Sequence, residues 1–324
     1  MDRSVLTQSL GDPVGGDPGG DEPVGGRALL RRIGRRGLQP RFLPYLFVAA
    51  TVVVLAGLSL IPLAYSISGS LHRGSLLSTD HSFIGLHNYI AVLTDPDFQT
   101  AFKNTLAYLV YTDIGVLLVG LPIALWLRGL KRRRRAVMLT IVLIPWAVPG
   151  TVNGELWSLI FKPTNGLLNS FLLKVHIIHS NIVWLEGAKA LPLVSLTLIW
   201  QTVPIAALIM LAGLEYIPGE IYEQARIDGA SRLRTLRRVT LPLLRPATAI
   251  SLVVASISAI GIYDQIYVLT GNAQNTISIV QQTYLYAFKV LDFGYAVSAA
   301  MIGTIASVIV SLVVLKFIYR EIAF

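Results

Sequence analysis

The chain has 324 residues, a formal charge of +9, 54% apolar residues and only 14% charged ones. Soluble domains carry roughly 25% charged residues. With a mean hydropathy of +0.64, a water-soluble globule is excluded, because it would expose apolar patches too large to stay dispersed. No Cys occurs, which removes disulfide scaffolds, thiolate metal sites and cysteine nucleophiles. The bases flank apolar stretches, so the partner they predict is membrane lipid and not nucleic acid. The expected class is an all-α integral membrane protein.

Taken in chain order, residues 1–26 are rich in Gly and Pro and carry Asp2, Asp12, Asp17, Asp21 and Glu22. They have almost nothing to bury and are expected to be a disordered tail. No apolar core precedes a small-residue cleavage site, so they do not read as a signal peptide. A basic stretch over 27–41 follows (Arg27, Arg31, Arg32, Arg35, Arg36, Arg41), expected at the cytoplasmic interface. The membrane domain is expected over 42–320, with 321–324 as a short cytoplasmic terminus. A spanning helix needs about 20 mostly apolar residues, and six segments qualify: 42–70, 101–127, 137–161, 191–214, 247–269 and 294–318. Phe42, Tyr45, Trp126 and Tyr319 at span ends read as an interfacial aromatic belt. Of the 27 bases, 21 fall on the side that holds the N-terminus. That bias places both termini in the cytoplasm, and an even number of spans agrees. Residues 71–100, 162–190 and 270–293 are then exterior.

Acids inside spans carry information, since a charge at bilayer depth costs at least ~2.5 kcal/mol and faces a bundle interior or water. Asp113, Glu155 and Asp264 are the three. Each either pairs with a neighbouring helix or a partner chain, or stands as a polar group in a solute path. Asp264 lies between Tyr263 and Tyr267, Glu155 has Asn153 and Trp157 nearby, and Gln201 follows Trp200. No Gly-Lys precedes Ser or Thr, so the phosphate-cradling loop of an ATPase is missing. His176 and His179 stand three apart but read as solvated surface. No nucleophile–base arrangement occurs, and the chain is not expected to be an enzyme by itself.

The largest cytoplasmic segment is 215–246. Pro218 suits a first helical position and Glu220 the positive helix end. Gly229 supplies the left-handed residue that closes the helix, and Ser231 caps a second one starting at Arg232. The expected course is short helix, glycine break, short helix, and re-entry at Leu241-Pro242. Asp228 sits in the last turn, where the helix dipole disfavours an anion. Ala225 and Ala230 are small enough for another surface to come close. Two readings stand at this level: an interfacial helix whose arginines hold anionic lipid, or a docking helix for a partner.

Glu223-Gln224-Ala225, Asp228-Gly229-Ala230, Leu241-Pro242 and Pro246 resemble the "EAA" loop of binding-protein-dependent ABC importer permeases, with Gln224 where that family has Ala. Further segments resemble the sugar-uptake branch that includes the maltose permeases. These are Phe83-Ile84-Gly85-Leu86-His87-Asn88-Tyr89 with Asn104-Thr105, Pro145-Trp146-Ala147-Val148-Pro149, Gly166-Leu167-Leu168-Asn169, Tyr267-Val268-Leu269-Thr270-Gly271 and Gly294-Tyr295-Ala296. The likeness runs over 42–320 in consistent order.

The resemblance implies a type I importer permease of a bacterial cell membrane, pairing with a second permease as a heterodimer. Two copies of an ATPase subunit would hold ATP and Mg, and this chain would bind no cofactor or metal. An external binding protein would deliver a sugar such as trehalose or maltose. A coupling helix over 218–229 would engage the ATPase through Glu223, Ala225, Asp228, Gly229 and Ala230, with Leu241 and Pro242 behind it. Asp264, Tyr263, Tyr267, Glu155, Asn153, Asp113 and Gln201 are the candidates for the substrate path, because hydroxyls bond carboxylates and amides while sugar faces stack on aromatics. A glycerol phosphate or other polar-solute permease, or an ion-coupled secondary transporter, are the alternatives. The last leaves the 215–246 loop unexplained.

Overall fold

The computed structural model describes residues 43–75 and 79–318. The expectations for 1–26, 27–41, Phe42, Tyr319 and 321–324 fall outside those residues. The described chain is helical, with two isolated β-bridges and no strand. In order the helices are α1 (Leu43–Ser70), α2 (His87–Thr94), α3 (Pro96–Arg128), α4 (Arg132–Ala147), α5 (Gly150–Phe161), α6 (Leu167–Lys174), α7 (Ala190–Tyr216), α8 (Gly219–Ile227), α9 (Arg232–Ile260), α10 (Asp264–Thr270), α11 (Ile279–Phe288) and α12 (Phe293–Ile318). Contacts divide the chain into one unit ending at Ile61 and another over Pro62–Phe324. The described part of the first is the apolar helix α1, which runs on to Ser70. The remaining description concerns the second unit.

Five of these helices are long and apolar enough to cross a membrane, or six if the bent pair α4–α5 is one span. Four of the six expected spans match α1, α3, α7 and α12 closely. The third does not. Instead of one helix over 137–161, α4 and α5 meet at a 93° bend. Pro149 explains it: its ring disfavours helical backbone at the residue before it, and Val148 is extended at φ −77°, ψ 126°. The fifth is also corrected. It begins at Arg232, well before 247, and ends at Ile260; Gly261–Tyr263 interrupt it, and 264–270 form the separate helix α10. The expected re-entry at Leu241-Pro242 is therefore interior to α9.

Proline inside a span costs a hydrogen bond and clashes with the carbonyl four residues back. Two spans solve this in the same way. Wider π turns at Val116–Gly120 and Leu236–Thr240 are each followed, two residues on, by a proline: Pro122 and Pro242. The wider turn moves the crowded carbonyl out of the ring's way and lets the helix continue.

Helix α7 is the centre of the second unit, packing against α3, α4 and α9. Its Val203, Ala206, Met210, Leu211 and Leu214 meet Val116, Ala124 and Leu127 of α3 and Leu244, Leu252 and Ala255 of α9. Lipid is as apolar as these side chains, so close packing and interhelical bonds hold such spans together. Ser251 Oγ supplies one such bond, donating to Ala206 O at 3.2 Å. The loop after α10 is tied to α3. Asn104 donates to Gln274 O and Ile277 O, Tyr108 donates to Thr276 O, and Thr105 Oγ1 accepts from Ile279 N. Asn169 organises 163–184 with four bonds, to Pro163 O, Ile182 O, Ile182 N and Trp184 Nε1.

Candidate functional site

The loop between α7 and α9 is built from local signals. Pro218, expected at the first helical position, instead stands just before α8 at φ −57°, ψ 140° with no side-chain capping bond; Glu220 sits in the first turn, and the helix runs Gly219–Ile227. Closure takes two bonds: Gly229 N donates to Arg226 O at 3.1 Å and Ala230 N to Ala225 O at 2.9 Å. This pair is the Schellman pattern, and it requires a left-handed residue between. Gly229 supplies it at φ +68°, with nothing within 4 Å of where a Cβ would stand. Conformation alone, not space, therefore demands glycine here. Ser231 Oγ accepts from Arg234 N at 3.4 Å and starts α9.

Glu220, Glu223, Gln224, Ile227 and Asp228 are exposed, and Ile227 is 85% exposed. Ala225 instead turns inward and is buried within this chain. Its small side chain serves internal packing rather than approach by another surface. Tyr222, on the same helix, lies under Arg128 with the guanidinium 4.2 Å from its ring and accepts from Thr240 Oγ1. Arg135 of α4 pairs with Glu215 at the end of α7.

The second cluster surrounds the broken span. At the bend, Val148 O has lost its helical partner, and Gln201 Nε2 of α7 donates to it at 2.6 Å. Gln201 Oε1 accepts from Gln265 Nε2 of α10 at 2.6 Å and from Asn153 Nδ2 of α5 at 3.3 Å. Asn153 Nδ2 also donates to Thr197 O. Three amides thus bind the two arms of the span, α7 and α10 into one polar joint. Asn153 Oδ1 is buried without a partner in it.

Asp264 opens α10, where the helix dipole favours its charge. Gly150 faces it so closely that a Cβ there would come 2.5 Å from Asp264 Oδ2. Beyond it the rings form a row: Tyr267 stacks on Tyr263 at 5.8 Å, Tyr263 meets Tyr284 at 5.6 Å, and Tyr284 meets Phe288 at 4.8 Å. Tyr267 is 50% exposed and Tyr284 37%.

Of the expected path residues, Asn153, Gln201, Asp264, Tyr263 and Tyr267 come together around this joint. The other two do not join them. Asp113 lies on α3 and accepts from Ser256 Oγ of α9 at 3.0 Å. Glu155 is exposed on α5, where among the described residues its carboxylate accepts from Ser158 of its own helix. Asp264 is also no longer inside a span, since it follows the break at Gly261. Three residues escaped sequence reasoning: Gln265, Tyr284 and Ile227. The Gln265 amide adjoins Asp264 and Tyr263 in the chain and could have been added to them. Nothing local marks Tyr284, which packs on Tyr263 from a different helix.

Residues 117–323 match the family described as "Binding-protein-dependent transport system inner membrane component". A trehalose/maltose transport system permease protein of Thermococcus litoralis is 32% identical over 85% of this chain and 90% of its own length. A sulfoquinovosyl glycerol transport system permease protein of Agrobacterium fabrum is 33% identical, covering 87% and 92%. A trehalose transport system permease protein of Mycobacterium tuberculosis is 31% identical, covering 86% and 90%. The fold is shared with a chain of a bacterial ABC transporter that imports the acidic polysaccharide alginate. That likeness has a TM-score of 0.73 at 19% identity, over 91% of this chain and all of the other. An EAA-type loop closed by Gly229, a set of spans built around α7 and these relatives agree: the chain belongs to the binding-protein-dependent inner membrane components, the multi-pass permease subunits of ABC importers.

Proposed function

We propose that this permease imports a sugar of the disaccharide class, such as trehalose or maltose. An external binding protein delivers the sugar, and a separate ATPase that binds ATP with Mg drives the import. The chain pairs with a second permease, its termini lie in the cytoplasm of a bacterial cell, and it performs no catalysis itself. The observation that carries the substrate reading is the joint between α5, α7 and α10. It sets a carboxylate (Asp264) and amides (Gln201, Gln265, Asn153) beside a row of partly exposed phenol rings. Carboxylate and amides bond hydroxyls, while rings pack on the apolar faces of a pyranose. No guanidinium or ammonium is among these residues, which favours a neutral sugar over glycerol phosphate. The sugar permeases among the relatives support the class.

On the opposite side, Glu223, Ile227 and Asp228 form the exposed end of α8. We place this end in the ATPase, so that nucleotide-driven closure moves α8 as a rigid lever. ATP shifts the transporter toward one state by binding that state better. The experiment is uptake by the complete importer in vesicles, with ATP inside, binding protein outside, and labelled trehalose or maltose in competition with glycerol 3-phosphate. Saturable sugar uptake that glycerol 3-phosphate does not inhibit is the expected result. Uptake driven by an ion gradient in the absence of ATP would overturn the reading.

A further inference from the structure

Under α8 lies a cavity of about 550 Å³ lined by Leu125, Tyr222, Arg226, Arg232, Thr235 and Thr240, among others. Leu125 belongs to the last turn of α3, and Thr240 closes the π turn where α9 becomes apolar. The cavity therefore sits at the ends of two helices long and apolar enough to cross a membrane. Two guanidiniums and three hydroxyls converge on it, and a third guanidinium, Arg128, lies on Tyr222. No carboxylate is among the lining residues. Among the described residues the ion pairs are Arg73–Asp80 and Arg135–Glu215, so no described carboxylate pairs with Arg226 or Arg232.

We propose that this cavity binds a phosphate group at the membrane face, carried by an anionic phospholipid or free in solution. Arg is the side chain whose planar fork matches phosphate oxygens, and hydroxyls add donors at closer range. The half-buried Tyr222 and the exposed Arg226, one turn apart, form the stripe of α8 that lines the cavity. Glu220, Glu223 and Ile227 form a separate stripe that does not line the cavity. One short helix thus holds a phosphate behind it while its other stripe stays free for a protein. The inference goes beyond the transport reading and would stand if the sugar assignment failed.

The test uses the assembled importer in detergent. Native mass spectrometry counts bound phosphatidylglycerol against phosphatidylcholine, and a melting curve with added inorganic phosphate reads the free anion. The paired variant R226Q/R232Q is compared with R237Q/R238Q, which removes the same charge from exposed positions outside the cavity. Wild type and R237Q/R238Q should both prefer phosphatidylglycerol, or both be stabilised by phosphate. R226Q/R232Q should lose that binding by on the order of ten- to thirty-fold. Lipid preference without a phosphate response assigns the site to a headgroup, and the reverse assigns it to the free anion; either supports the proposal. Equal losses in both variants would mean diffuse attraction and overturn it. So would unchanged anion binding in R226Q/R232Q, including the case in which that variant instead sheds its ATPase and so uses the arginines for protein docking.

Discussion

The loop 217–231 and the joint around Gln201 are held in opposite ways. Every backbone bond that shapes α8 and its closure joins residues no more than five apart, as with Ala230 to Ala225. The bonds at the joint link residues 48, 53 and 64 apart in the chain. A helix stapled to itself keeps its shape when the elements around it move, which suits a lever. A joint made of three amides on three helices exists only in one arrangement of those helices. Its bonds are exchangeable among amides and a freed carbonyl, which suits a place where spans shift. The difference suggests that motion enters through a rigid part and is spent at a soft one.

The largest effect expected from breaking this contrast is at Gly229. A β-branched side chain at φ +68° costs at least about 1–2 kcal/mol locally. G229V should insert normally yet lose most ATP-driven uptake, with ATPase activity no longer stimulated by the binding protein. Vesicle uptake beside immunodetection in the membrane checks this. At the joint, G150V would drive a side chain into Asp264, because even a Cβ stands 2.5 Å from Oδ2. Overpacking of this kind costs about 1–3 kcal/mol, so both the melting temperature and uptake should fall.

Gln201→Leu leaves Val148 O and the Gln265 amide without their partner, and leaves Asn153 Nδ2 with Thr197 O alone. Leaving buried polar groups unpaired costs about 1–3 kcal/mol. The variant should melt lower while ATPase stimulation survives, in contrast with G229V. Asp264→Asn and Tyr263→Ala, at the half-exposed edge of the joint, should raise the half-saturating sugar concentration several-fold with little change in melting temperature. A change in maximal rate alone would remove them from the path. The smallest effect on transport is expected from Y286F. It deletes the 2.7 Å bond to the Asp95 carboxylate, which Tyr295 still bonds, and a stability loss of about 1.5–3 kcal/mol should leave transport intact.

Legibility followed the same division. The cap at Ser231, the left-handed Gly229 and the Pro218 boundary could all be read from adjacent residues, because their partners lie within a turn or two. Span positions were legible from apolar length for α1, α3, α7 and α12. The bend at Val148-Pro149 was signalled by its proline, yet proline alone does not separate a tolerated kink from a break. Pro122 and Pro242 are absorbed by π turns, whereas Pro149 is not. As acids in apolar stretches, Asp264 differed from Asp113 only by its tyrosine neighbours, Tyr263 and Tyr267. Only the packing shows one answering Ser256 and the other opening α10 beside Gly150. Tyr284 joins this cluster through a ring contact that no local pattern encodes, whereas Gln265 was marked by its neighbours Tyr263 and Asp264 and only its partner, 64 residues away, was not.

The most direct test of the lever exploits the absence of Cys from this chain. A single cysteine introduced as I227C, at the most exposed apolar position of α8, can carry a short thiol cross-linker or a spin label in the assembled transporter. The account predicts a cross-link to the ATPase subunit, with a label distance to that subunit that hardly changes between nucleotide-free and ATP-bound states while α8 moves relative to the far side of the membrane. Free labelling of I227C by a bulky water-soluble reagent in the intact complex, with no cross-link in either state, would contradict it.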